Sequence, residues 1–234
     1  MDEIVSYSLE GPVATIAMDD GKVNALSPAM LAALDAAFER ARSDGAAVIL
    51  RGRKETFSAG FDLKVLRGGD LPAAADMILG GFRLAHKILG FPRPVVIACT
   101  GHAVAMGAFL LLSGDHRIGA AGEFRIVANE VAIGLTMPHA AVEICRQRLT
   151  PAAFNRAVIL AQTFSPEEAV SAGFLDETVA ADRLDETALN AATRFAQLDR
   201  DAHAASKLRA RAHALEAIAA GIEADDAGMR AFLA

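Results

Sequence analysis

The stretch Thr56-Phe57-Ser58-Ala59-Gly60-Phe61-Asp62-Leu63 passes from strand-forming residues through small residues into the start of a helical pattern. A second stretch of the same kind is Gly101-His102-Ala103-Val104-Ala105-Met106-Gly107-Ala108-Phe109. A strand that turns directly into a helix leaves the first backbone N–H groups of that helix without partners. Two such groups aimed at one point can hold an oxygen on which negative charge develops. The two turns therefore predict an oxyanion-binding site made of backbone amides.

The composition indicates one soluble domain with a large core. The chain has 234 residues, 53% of them hydrophobic, and a formal net charge of −6. This acidic balance argues against a nucleic-acid-binding surface, which needs a basic field. Apolar runs stop well short of the about 20 residues that a membrane helix needs, and no signal peptide is apparent. Cys99 and Cys145 lie in apolar surroundings and are predicted to be free, buried thiols, so we expect a cytoplasmic protein.

Hydrophobic patterning predicts an α/β core followed by a helical region. Short apolar runs indicate strands, and some of them are continuous, as in strands covered on both faces. Ser27-Pro28, Thr150-Pro151 and Ser165-Pro166 are typical helix starts. The predicted strands are 4–9, 13–18, 47–50, 95–99, 115–118 and 124–126. Residues 57–63 and 101–107 are predicted turns, and nearly everything from residue 150 onward is predicted to be helical, with Leu208, Ala212, Leu215 and Ile218 as packing positions.

Seven segments of the chain, in order, resemble the crotonase superfamily, also called the enoyl-CoA hydratase/isomerase superfamily. They are Asn24-Ala25-Leu26, Phe57-Ser58-Ala59-Gly60-Phe61-Asp62-Leu63, Gly101-His102-Ala103-Val104-Ala105-Met106-Gly107-Ala108, Asp115, Glu130-Val131-Ala132-Ile133-Gly134-Leu135, Ser165-Pro166-Glu167-Glu168-Ala169 and Ala172-Gly173. The resemblance covers nearly the whole chain.

The resemblance implies a ClpP-like spiral of ββα repeats. It places this crotonase core in residues 1–180 and a helical C-terminal trimerisation region in residues 181–234. It also implies homotrimers or homohexamers that act on coenzyme A thioesters. Neither a cofactor nor a metal ion is implied, and no histidine here has metal-ligand spacing with another His, Cys or carboxylate.

By position, the two oxyanion donors implied by the resemblance are the amides of Phe61 and Met106. The family commonly has Gly where Met106 stands, and we expect its side chain to point away or to narrow the acyl pocket. Losing one donor of a comparable oxyanion hole costs about 3–4 kcal/mol of transition-state stabilisation. The implied substrate-binding residues are Ser58, Ala59, Gly60, Ala105, Gly107, Phe109 and His139.

The reaction type depends on two positions. Hydratases of the family use two glutamates, and here Phe109 occupies the first position while Glu130 occupies the second. Hydration uses one group to activate water and another for the α proton, whereas moving a double bond from position 3 to position 2 needs one base. Glu130 as sole acid/base therefore predicts a Δ3,Δ2-enoyl-CoA isomerase. Its apolar setting is expected to raise its pKa above the reference of about 4.3.

Two alternatives stay open from the sequence. The first is an enoyl-CoA hydratase or lyase that uses Glu130, with His139 as a second acid or base; a capping or core-facing His139 is the competing structural interpretation. The second is a non-catalytic acyl-CoA-binding homologue, which the loss of one glutamate suggests. Lys22, Lys207 and Arg209 could meet a coenzyme A phosphate, but each is predicted to lie on a solvated face.

Overall fold

The computed structural model describes residues 3 to 233, with side chains as far as residue 231. Residues 1 and 2 of the predicted core (1–180) and residue 234 of the predicted C-terminal region (181–234) lie outside the described residues. The strands are β1 Val5–Glu10, β2 Val13–Met18, β3 Ala47–Arg51, β4 Glu55–Ser58, β5 Val95–Cys99, β6 Gly101–Val104, β7 His116–Ala120, β8 Ile126–Val127 and β9 Glu177–Val179. The helices are α1 Pro28–Ser43, α2 Leu63–Leu66, α3 Leu71–Leu89, α4 Met106–Leu112, α5 His139–Arg146, α6 Pro151–Val158, α7 Pro166–Ala172, α8 Leu184–Ala196 and α9 Arg200–Leu233.

The strands form two sheets. The larger has the order β1-β2-β3-β5-β7-β9, and the smaller has the order β4-β6-β8. Only the β1–β2 pair is antiparallel among these strands. From β3 onward the chain alternates between the larger and the smaller sheet. This alternation, with helices between the strand pairs, is the predicted ββα spiral, and the predicted α/β fold with a helical C-terminal region is confirmed.

Continuous apolar sequence explains why the larger sheet is central. Every residue of β5 is buried, and so are the first four of β3, as expected for parallel strands that are covered on both faces. Cys99 and Cys145 are free and buried, as predicted. Within residues 3–233, none of the helices combines the length and the apolar character that crossing a membrane requires.

Three predictions of secondary structure are wrong. Residues 101–104, predicted as part of a turn, form strand β6, which pairs with β4 and β8. Residues 57–58, predicted as part of the other turn, belong to strand β4. Strand β9 was not predicted, because residues after 150 were expected to be helical. All three strands are short and lack a long apolar run, so their strand character depends on neighbouring strands that the local sequence does not show.

The C-terminal helix buries only some of the predicted residues. Ile218 is fully buried and Leu215 packs against the core, as predicted, whereas Ala212 is exposed. Leu208 is 49% exposed, whereas Lys207 is only 8% exposed, so both predictions about their exposure are wrong. Lys207 Nζ lies 2.7 Å from Asp115 Oδ2, and Arg211 pairs with the other oxygen of that carboxylate. Burial lowers the pKa of Lys207 to about 8, although Asp115 opposes the shift. Trimerisation through residues 181–234 stays a prediction.

Helix α9 also caps the N-terminus of helix α5. Both carboxylate oxygens of Asp225 accept hydrogen bonds from α5, from the backbone N–H of His139 at 2.9 Å and of Ala140 at 3.0 Å. The residue before α5, Pro138, supplies no side-chain cap. The two helices are in close contact here, since a Cβ on Gly221 of α9 would lie 2.8 Å from Ala140 N of α5. A carboxylate at a helix N-terminus satisfies free amides and complements the helix dipole.

Replacing Asp225 with alanine should lower the free energy of unfolding by about 1–2 kcal/mol, because two N–H groups lose a charged acceptor. Urea denaturation measures this loss. The matched control is Asp226→Ala on the same helix, which removes only a pair with the 73%-exposed Arg230 side chain. That control should change stability by less than about 0.5 kcal/mol, and equal losses in the two variants would contradict the capping role.

Candidate functional site

The site lies where the three parallel strands of the smaller sheet end. Ser58 of β4 is in register with Ala103 of β6, and Ala103 is in register with Ile126 of β8. Parallel strands have their carboxyl ends at the same edge of a sheet. Phe61, Met106 and Glu130 each follow one of these strands by two or three residues. The pairing of the strands therefore brings the two predicted donors and the predicted base to one edge.

The turn after β4 is pressed against the turn after β6. Gly60 has a φ of +88°, which glycine adopts without steric cost. A Cβ at this position would lie 2.9 Å from Val104 O, 3.0 Å from Ala105 Cβ and 3.3 Å from Met106 N. Gly60 immediately precedes Phe61, so the amides of Phe61 and Met106 lie on neighbouring turns. A side chain at position 60 would push the two turns apart.

Neither predicted donor amide has an acceptor within the part of the chain that the structure describes. Met106 is the first residue of α4, and the residue before it, Ala105, has a φ of 51° and offers no side-chain cap. Among the hydrogen bonds within residues 3–233, none is donated by the N–H of Phe61 or Met106. Free backbone N–H groups are costly when they stay unpaired, so a pair at one edge is suited to an oxygen acceptor.

Residues around Ser58 hold the first turn in place. The Ser58 hydroxyl donates to Asn24 O at 2.8 Å and accepts from Gly60 N at 3.2 Å. The Asn24 side chain, fully buried, donates to Phe57 O at 3.1 Å. Gly107 approaches from the other turn, since a Cβ there would lie 2.4 Å from Ser58 O. Ser58, Gly60 and Gly107 thus shape the backbone of the site.

The role of Asn24 was not predicted, although the segment containing it carried part of the family resemblance. Its backbone has a φ of 51°, which asparagine tolerates better than most residues. Its side chain accepts from the nearby Asp20 N and donates to the nearby Met18 O, but the bond to Phe57 O, which links it to the site, joins residues that are distant in sequence. Of the other predicted substrate-binding residues, Ala59 is exposed and Ala105 is half-buried.

Glu130 is a buried carboxyl group with an unused oxygen. It is 8% exposed, and its Oε2 has no hydrogen-bond partner within the described part of the chain. Burial raises the pKa of Glu130 to about 7, although a backbone hydrogen bond opposes the shift. This carboxylate in turn contributes, after burial, to a raised pKa of the Cys145 thiol on α5. A carboxyl group that titrates near neutrality can both take up and return a proton.

Large apolar side chains fill the space beside the two donors. Phe109 is 1% exposed, and its ring centroid lies 6.1 Å from that of Phe82 on α3. Phe82 also packs edge-on against Phe61, with 6.2 Å between ring centroids. Met106 is fully buried as a whole residue, so its side chain points away from solvent. No carboxylate occupies position 109, where hydratases of the family have one.

The structure places His139 and Glu130 in different surroundings, since Glu130 is buried. His139 is exposed at the start of α5, and it lines a groove of about 360 Å³ between α5 and α9. The other residues of this groove are Val142, Glu143, Ala217, Ala220, Gly221 and Ala224. Neither the two donors nor Glu130 belongs to it. Over residues 3–233, no group of three His, Cys, Asp or Glu side chains could hold a metal ion.

Comparisons with known proteins agree with this architecture. A structure of an enoyl-CoA isomerase of Mycobacterium tuberculosis is 52% identical, with a TM-score of 0.93, and the match covers 97% of this chain and 99% of that one. An enoyl-CoA hydratase of Mycobacterium marinum is 50% identical, with a TM-score of 0.92 and coverage of 96% and 99%. The carnitinyl-CoA dehydratase of Salmonella typhi is 31% identical over 191 residues, which are 80% of this chain and 72% of that protein.

The family model described as "Enoyl-CoA hydratase/isomerase" matches residues 9–233, which is nearly the whole chain. The matched range contains both turns of the site and Glu130. The chain belongs to the enoyl-CoA hydratase/isomerase family, the crotonase superfamily that its sequence resembles.

Proposed function

We propose that this protein is a Δ3,Δ2-enoyl-CoA isomerase, which converts a 3-enoyl-CoA into the conjugated 2-enoyl-CoA. The observation that carries the proposal is the buried carboxyl group of Glu130 at the same sheet edge as the amides of Phe61 and Met106, with Phe109 in place of a second carboxylate. Family membership supports a coenzyme A thioester as the substrate. The names of the relatives divide among isomerase, hydratase and dehydratase, so the choice rests on the residues.

The first step removes a proton from C2 of the bound thioester. The Glu130 carboxylate takes this proton, and the electron pair of the C2–H bond moves into a dienolate whose negative charge lies mainly on the thioester oxygen. The N–H groups of Phe61 and Met106 donate to that oxygen. Preorganised donors stabilise the developing charge without reorganising during the reaction, which is usually the largest single contribution to such catalysis.

The second step returns the proton at C4. The neutral Glu130 donates it, the double bond settles between C2 and C3, and the carboxylate is regenerated. Atoms and charge balance without water or a co-reactant. A pKa of about 7 suits both roles, because the group is a competent base as the carboxylate and a competent acid when protonated.

Hydration is less well supported by the arrangement of side chains. Addition of water to the double bond is served by a second group beside Glu130, and the residue at the corresponding position is Phe109, which packs on Phe82. His139, the other candidate, lines the groove between α5 and α9. Water would also have to enter beside a wall of aromatic rings. A non-catalytic acyl-CoA binder is supported even less, because it would have no use for the unpaired oxygen of Glu130.

Replacing Glu130 with glutamine should reduce isomerisation by about 10²–10⁴-fold, the usual contribution of a general acid/base. The assay follows the absorbance of the conjugated thioester formed from a trans-3-enoyl-CoA. Glu143→Gln on α5 is the control, because that carboxylate pairs with Arg146 on the protein surface, and it should leave the rate unchanged. An unimpaired Glu130→Gln protein would refute the assignment of the base.

The pH dependence of kcat/KM should report the same group. Because the free enzyme must carry Glu130 as the carboxylate, kcat/KM should fall tenfold per pH unit below a midpoint of about 7 and level off above it. Initial rates at subsaturating substrate between pH 5 and 9 measure this profile. A midpoint near the ordinary glutamate value of about 4.3 would contradict a buried base.

Phe109→Glu should destabilise the fold in a pH-dependent manner, because position 109 is buried against Phe82. Burial would raise the folded-state pKa of the new carboxyl above its unfolded value of about 4.3. The loss of stability relative to wild type should therefore be smallest below that value and grow as the pH rises towards the folded-state pKa. Urea denaturation at pH 5 and pH 8 measures the difference. Phe109→Gln is the uncharged control, and an equal pH dependence in both variants would contradict the burial of this position.

A further inference from the structure

Helix α3 contains two consecutive glycines, Gly80 and Gly81, in the middle of its 19 residues. Glycine destabilises a helix interior relative to alanine, so such a pair calls for a packing or functional reason. Neither glycine has a positive φ, and the backbone is regular here. The explanation must therefore lie in what a side chain would contact.

The surroundings of the two glycines differ sharply. A Cβ on Gly80 would meet only Leu31 Cδ1, at an ordinary contact distance of 3.6 Å. A Cβ on Gly81 would lie 2.6 Å from Phe61 Cε1 and 2.7 Å from Phe61 Cζ, which is too close for two carbon atoms. It would also lie 3.4 Å from Met106 Cγ. Gly81 is thus the point on α3 where the side chains of Phe61 and Met106 meet.

We propose that Gly81 is a positioning residue for the oxyanion hole, because it seats the side chains of the two residues whose amides bind the thioester oxygen. The end of the Phe61 ring occupies the space that a Cβ on Gly81 would take, and the ring of Phe82 packs edge-on against it. The Met106 side chain is buried against the same spot. The proposal rests on the proposed function only in that it uses the same two amides.

A displaced Phe61 ring would move the amide of the same residue. Phe82 restricts the ring on one side, so a methyl group at position 81 would push the ring and the backbone of the turn away from α3. Catalysis depends steeply on such geometry, since a displacement of about 1 Å can cost about 10²-fold in rate. Ground-state binding of the coenzyme A portion should change little, because the three atoms nearest to a Cβ on Gly81 belong to the side chains of Phe61 and Met106, and none belongs to the Ser58–Gly60 backbone.

The test compares Gly81→Ala with its neighbour Gly80→Ala. The two changes are chemically identical and lie on one helix, so both should raise helix propensity. Gly80→Ala should keep kcat within about twofold of wild type, whereas Gly81→Ala should lower kcat about 10²-fold with KM changed less than about threefold. Melting temperatures separate this effect from unfolding, since a loss of kcat without a matching loss of stability is not expected from a merely structural glycine.

A rescue experiment tests whether the Phe61 ring causes the loss of kcat in Gly81→Ala. Leucine lacks the Cε1 and Cζ atoms that a Cβ at position 81 would meet, so Phe61→Leu should make room for alanine. In the Phe61→Leu background, Gly81→Ala should therefore lower kcat by less than about threefold, compared with about 10²-fold in the wild-type background. If Gly81→Ala alone does not fold, the double variant Phe61→Leu/Gly81→Ala tests the inference instead. Its bound acetoacetyl-CoA should then ionise to the same extent as in Phe61→Leu.

A spectroscopic measurement keeps the inference separate from the choice of reaction. Acetoacetyl-CoA ionises to an enolate that absorbs in the near ultraviolet, and an oxyanion hole should increase the enolate fraction of the bound ligand. We expect a strong band with wild type and Gly80→Ala, a weak band with Gly81→Ala and recovery in the double variant. A wild-type band without turnover of 3-enoyl-CoA would refute the isomerase and leave the inference standing. The inference would be overturned by an equal enolate band in Gly80→Ala and Gly81→Ala. The absence of a wild-type band, or a band that stays weak in the double variant, would overturn it as well.

Discussion

The register of the three parallel strands β4, β6 and β8 is the constraint on which the site depends. Each strand ends at the same edge, and each is followed at once by one chemical group: the Phe61 amide, the Met106 amide or the Glu130 carboxyl. A shift of one residue in either pairing would turn the side chains of that strand to the opposite face. The larger sheet supplies the buried framework, and the smaller sheet sets the relative positions of these three groups.

Burial then sets the chemistry of the groups that the sheet has positioned. The Glu130 carboxyl titrates near neutrality because its surroundings offer Oε2 no donor and little solvent. The aromatic rings of Phe61, Phe82 and Phe109 form an apolar wall on the side where a second carboxylate would otherwise act. The proposed isomerisation uses these features, because it moves a proton within the substrate and needs no water.

The sequence was sufficient to predict the fold class, and the three groups that we assign to the site each leave a local signal. Small residues at a strand end mark the two turns, and the family resemblance marks Glu130. Other features depend on partners that are distant in the chain. Burial of Lys207 follows from Asp115, which lies far away in sequence. The importance of Gly81 follows from the position of the Phe61 ring, and a glycine pair in a helix signals only that something approaches.

The most direct test of the central claim, that one carboxyl group moves a proton while water is excluded, is mass spectrometry of the products from a trans-3-enoyl-CoA. The account predicts a product of unchanged mass, the conjugated 2-enoyl-CoA, with at most traces heavier by one water. Accumulation of the hydrated thioester at a rate comparable to isomerisation would contradict it. Such a result would mean that a second group, or an ordered water beside Phe109, takes part in the reaction.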